Sequence, residues 1–193
     1  FILPQLEELP YCTPPIYRAT DGTDPLTSLT RPNTRLVGQS AGVLRGNNLA
    51  LMGQVIPGTS GQSGDFISMK PDASNLMVIG IYSTFARITK VINTVSFEAK
   101  STFNGTKGVP FQWQAYLSAS YGIGIRVRYW LGMAWSAWTA WATNADTQDA
   151  PIAPTFEIGS RNDANRFVGN YQMFLPYWTN DPKTYLENLE IAA

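Results

Sequence analysis

The chain has 193 residues, 14 Lys+Arg against 14 Asp+Glu, no histidine and one cysteine, Cys12. That length suits one ordinary domain. The missing histidines exclude Ser-His-Asp and Cys-His catalysis and His-ligated metals, and the single cysteine excludes an internal disulfide or a Cys-based zinc site. Zero net charge argues against free-standing nucleic-acid binding, and the charge does not segregate. Residues 1–100 carry eight bases and seven acids, and residues 101–193 carry six and seven. Few charges beside many aromatics suggest a surface largely covered by neighbours.

Residues 1–48 read as an extended arm with loops, because Pro4, Pro10, Pro14, Pro15, Pro25 and Pro32 break helices and ladders alike. Phe1, Ile2, Leu3, Leu6 and Leu9 make the arm apolar enough to pack. Pro4, Gln5, Glu7 and Glu8 do not suit a signal peptide. Arg18, Arg31, Arg35 and Arg45 give it a mild basic lean that Asp21 and Asp24 dilute.

From Leu49 to Ala193 a single β domain is expected. Leu49–Ile56 reads as a strand closed by Pro57-Gly58, and Asp65–Met69 as a short one. Leu76–Tyr82 is apolar on both faces, a buried strand or a short core helix. It is far short of the ~20 residues of a membrane span. Asn93–Lys100, Phe111–Ser118 and Ile123–Tyr129 alternate. Phe111, Trp113, Ala115 and Leu117 fall on one face, with Gln112, Gln114 and Tyr116 on the other; Arg126 and Arg128 oppose Ile125 and Val127. Residues 134–142, Phe156–Ile158 and Phe167–Leu175 complete the strands, and Thr184–Ile191 suits a helical turn or two. About eight short strands without βαβ alternation predict an all-β antiparallel sandwich or jelly roll.

Motifs that resemble chemistry are weak. Gly38-Gln39-Ser40-Ala41-Gly42 matches a nucleophile elbow, but no histidine exists to activate Ser40. Gly58–Gly64 lacks the lysine of a phosphate-binding loop, and Gly122-Ile123-Gly124 lacks the third glycine of a dinucleotide site. Asn104-Gly105-Thr106 is a glycosylation sequon that also reads as a turn. No enzymatic activity and no cofactor is expected. The candidate contact residues are Trp135, Trp138 and Trp141. In a strand Trp135 and Trp141 share one face and Trp138 takes the other, which serves either a core or a subunit contact.

The C-terminal part carries a family resemblance. Ala142-Thr143-Asn144, Phe156-Glu157-Ile158, Val168-Gly169-Asn170, Met173, Pro176 and Pro182 stand in an order and spacing similar to the last strands of the small coat protein of comovirus-type, picorna-like plant viruses. The resemblance implies an eight-stranded viral jelly roll, cut from a polyprotein and located in the virion. It implies partners too: copies of itself around a fivefold axis, a larger coat protein in a pseudo-T=3 shell, genomic RNA only indirectly, and no membrane. The arm would then lie along neighbouring subunits or the inner shell surface. The segment Trp135-Ser136-Ala137-Trp138-Thr139-Ala140-Trp141 also looks like strand ends of phage tail-fibre knobs, which implies a glycan-binding alternative.

Overall fold

A computed structural model describes residues 36–40, 44, 46–58, 63–102, 106–159 and 167–189. All of them belong to one compact unit, Arg35–Ala193. The arm up to Arg35, Cys12, the 59–62 part of the glycine-rich loop and the Asn104-Gly105 pair lie outside the described residues.

The strands are β1 (Leu36–Gln39), β2 (Leu49–Pro57), β3 (Ser63–Met69), β4 (Leu76–Tyr82), β5 (Phe85–Ile92), β6 (Val95–Thr102), β7 (Phe111–Ser118), β8 (Gly122–Tyr129), β9 (Ala142–Asn144), β10 (Thr155–Ile158) and β11 (Gly169–Trp178). One helix follows, α1 (Pro182–Asn188). The strands form two antiparallel sheets, a six-stranded one in the order β1-β10-β3-β4-β5-β6 and a five-stranded one in the order β11-β2-β7-β8-β9. The protein is thus an all-β antiparallel jelly-roll sandwich, as the strand spacing predicts. Its described strands number eleven rather than eight.

The core is made by alternate residues of each strand. Leu49, Leu51, Val55, Phe111, Trp113, Ala115, Leu117, Ile123, Ile125 and Val127 line one sheet. Phe66, Met69, Met77, Ile79, Ile81, Ala86, Ile88 and Ala99 line the other. Leu76–Tyr82 is a strand, which settles the helix alternative.

Three readings of the sequence need correction. Residues 36–39, assigned to the arm, form β1 and pair with β10 from Leu36↔Ile158 to Gln39↔Thr155. Asn93 and Thr94 do not begin a strand. Both have positive φ, 49° and 71°, and make the tight turn between β5 and β6. Residues 134–142 are not a strand either: only the bridge Trp130↔Trp135 and the short β9 belong to the ladder.

The strand β11 closes one flank. Thr179 N–H donates to the Asn48 carbonyl at 3.1 Å and continues the register Trp178↔Leu49. Tyr177 and Leu175 therefore also turn their backbone groups toward β2, while Pro176 turns its nitrogen to the free edge. Proline there removes a donor that another strand could use, so the edge is blunted against strand addition. After β11, Asp181 caps α1 by accepting from Thr184 N–H at 3.0 Å, and Pro182 opens the first turn.

Candidate functional site

The outer face of the five-stranded sheet carries the polar residues of β2, β7 and β8, yet Gln112 and Gln114 are as buried as the core. They are joined in two rows. Arg128 Nε donates to Gln112 Oε1 at 2.6 Å, Gln112 Nε2 to Gln54 Oε1 at 2.7 Å, and Gln54 Nε2 to Gln172 Oε1 at 2.5 Å. This chain crosses four strands, and the two middle amides, Gln112 and Gln54, each accept and donate, which strengthens neighbouring bonds. In the second row Arg126 Nε donates to Gln114 Oε1 at 2.8 Å, and its Nη2 to the Leu186 carbonyl of α1 at 3.0 Å.

The three candidate tryptophans lie over these arginines. The Arg128 guanidinium sits 5.3 Å from the Trp135 ring and 4.7 Å from Trp138; Arg126 sits 5.0 Å from Trp138 and 4.6 Å from Trp141. Cations and rings alternate, each pair worth roughly 0.5–2 kcal/mol. The sequence reading put Trp138 opposite the other two, as a strand would. The structure puts all three on the same two cations, at a spacing of three residues that the alternation of a strand would not bring to one face.

The residue after each of the first two tryptophans holds the segment in place. Ser136 N–H donates to the Tyr129 carbonyl at 2.7 Å, and Ser136 Oγ accepts from Tyr129 N–H at 3.0 Å. Thr139 repeats the pattern on Val127, at 2.9 and 3.0 Å. The hydroxyls replace the carbonyls that a paired strand would offer, so the β8 edge at Val127 and Tyr129 is satisfied beyond its short ladder with β9. Thr139→Ala leaves the Val127 N–H without its acceptor and should cost about 1–2 kcal/mol. A denaturant midpoint lowered at unchanged slope would show this.

Burial sets the electrostatics of this face. Desolvation lowers the Arg126 pKa, Glu187 opposes that shift, and Arg128 adds to it. Tyr116, under Trp141 at 5.0 Å, is pushed up to about 12 by burial and by the charge of Glu187. Glu187 accepts from Trp141 Nε1 at 3.0 Å, which ties α1 to the end of the Trp segment.

No protein-family model and no curated protein matches this sequence. Solved structures align with this chain. The LG1-3 region of the laminin alpha2 chain aligns with a TM-score of 0.54 at 11% identity, covering 76% of this chain and 30% of that one. A heptameric SAP-like pentraxin from Limulus polyphemus gives 0.41 at 10% identity over 69% of this chain and 65% of that one. A GH43 protein from Bacillus licheniformis gives 0.39 at 10% over 68% and 27%. The chain spans under a third of the laminin chain. At such identity the laminin likeness speaks for the fold alone.

The other sequence candidates do not assemble into a site. Ser40 is 1% exposed and its hydroxyl lies against the Met69 thioether at 3.7 Å. Among the described residues no group of three His, Cys, Asp or Glu gathers where it could hold a metal ion, and no helix is long and apolar enough to cross a membrane. Sequence reasoning missed the Arg–Gln rows and their cover. The available signal was tryptophan at a period of three, following a strand with arginine at every second position.

Proposed function

We propose that the chain is a structural coat subunit of a small icosahedral RNA virus, a jelly roll that joins copies of itself and a larger coat protein in a pseudo-T=3 shell. The C-terminal sequence pattern supports this reading, and one structural observation carries it. Strand β6 lies against β8 and β9, so β1 and β11 share the opposite flank. On these two edge strands Val37 is 47% exposed on the outer face of the six-stranded sheet, and Leu175 and Tyr177 are 50% and 52% exposed on the outer face of the five-stranded one, where Tyr177 stacks on Tyr185 of α1. Apolar side chains on both edge strands suit lateral contacts, while Pro176 disfavours continuous strand pairing.

The tryptophans serve the subunit's own architecture in this reading, because two arginines already occupy ring faces that a neighbour or a sugar would need. The test is electron microscopy of the chain co-expressed with its larger coat partner. Closed shells are expected for the native pair, and Leu175→Asp/Tyr177→Asp should abolish them while leaving a folded subunit. A detergent-resistant trimer that binds glycans, with no shells, would replace this reading by the tail-fibre one.

A further inference from the structure

We infer that the hairpin tip Leu131-Gly132-Met133-Ala134 is a finger that inserts into an anionic lipid surface. Leu131 is 71% exposed and Met133 94%, the two most exposed of the large apolar side chains described. The tip is nevertheless held firmly. Leu131 N–H donates to the Ala134 carbonyl at 2.8 Å, Gly132 takes a φ of +92° that other residues rarely adopt, and Trp130 bridges Trp135 with the rings 5.5 Å apart. Below this neck, Arg128 lies over Trp135.

Shape and order choose the occupant. A hot-spot contact between proteins usually fills a pocket; this apolar group projects beyond the strands. Passing from tip to base, it presents aliphatic side chains, then a Trp pair, then the half-buried Arg128 beneath Trp135. That is the order of acyl chains, interface and phosphates in a bilayer leaflet, where Trp settles at the interface and bases near the headgroups. The charge agrees. From Ser101 to Ala145 the chain has no Asp or Glu, and its three charges are Lys107, Arg126 and Arg128. Lys107 is exposed in the turn that leads to Pro110, whose carbonyl accepts from the Trp130 N–H at 3.0 Å. The coat-protein resemblance implies no membrane partner, and this inference departs from it; a surface contact through a loop needs no spanning segment.

The full chain should sediment with vesicles of phosphatidylcholine and phosphatidylserine, with its Trp emission shifted to the blue and quenched by lipids brominated in the acyl chain. Leu131→Ser/Met133→Ser should weaken partitioning by at least about tenfold, because each inserted aliphatic side chain is worth roughly that factor. Its melting temperature should stay close to the wild type, since both side chains are largely exposed. Lys107→Gln should weaken binding about fivefold at low salt. Wild-type protein left in the supernatant, acyl-chain quenching absent, or a double variant that partitions like the wild type would each overturn the inference. A double variant that loses self-association in lipid-free buffer while its vesicle binding is unchanged would overturn it too and assign the tip to a second copy of the chain.

Discussion

Gly53→Val should destabilise the protein by about 3 kcal/mol or more, at the upper end of what overpacking a core costs. Gly53 stands in β2 opposite Trp113 of β7 and Phe174 of β11. A Cβ there would meet the Trp113 indole at 2.6 Å, inside any normal contact. The ring has nowhere to go. It is 1% exposed, stacks on Phe66 at 5.7 Å and 16°, and touches Phe174 at 6.3 Å on the other side. Intrinsic preference runs the opposite way, because glycine inside a strand is unfavourable. A loss of stability would therefore report the clash and not the strand propensity. Gly53→Ala should show the same sign at smaller size. Combining Gly53→Ala with Trp113→Leu should cost less than the sum of the two single changes, since each relieves the other. Equilibrium unfolding of the four variants measures this.

The fold was legible where a strand has one apolar face. β7 and β8 alternate without exception, and their inward residues are those the alternation named: Phe111, Trp113, Ala115 and Leu117, then Ile123, Ile125 and Val127. β5 was not recognised because its inward face reads Ala86, Ile88, Lys90, and a lysine there breaks the apolar pattern. β1 is only four residues long, inside a stretch whose prolines spoke for an arm. The candidate site was half legible. Placing Arg126, Arg128, Gln112 and Gln114 on outward faces followed from the period of two. Their burial did not, because their cover comes from residues 135–141, whose tryptophans recur every three residues, against the period of two of a strand. A pattern of apolar and polar residues cannot show that Ser136 and Thr139 hydroxyls, rather than backbone carbonyls, complete the β8 edge.

Lys90 supplies the second large effect. Its side chain is 1% exposed at the end of the sandwich, facing inward from β5. Its ammonium has three acceptors: the Asp146 carboxylate at 2.5 Å, the Asp146 carbonyl at 3.1 Å and the Gln148 carbonyl. All three come from the loop that leaves β9, so one buried cation fixes the course of that loop. Asp146→Ala removes the only one of them that carries a charge. Breaking a buried pair from one side costs about 3–5 kcal/mol. Asp146 lies at the rim with 11% of its side chain exposed, and water can partly replace it, so about 2–3 kcal/mol is expected. Lys90→Met/Asp146→Ala should be more stable than Asp146→Ala alone, because no uncompensated cation is then buried. The pH dependence has a definite sign. Burial raises the Asp146 pKa, but hydrogen bonds from Lys90 and Gln148 and the Lys90 charge outweigh it, and the net value is depressed. A depressed carboxyl contributes its full stability above the unfolded value of ~3.9 and loses it as the pH falls through the folded one. Wild type and Asp146→Asn should therefore differ by a constant amount near neutral pH and converge in acid below that value. A gap that stays constant, or widens, as the pH falls would show that Asp146 does not hold Lys90 through its charge.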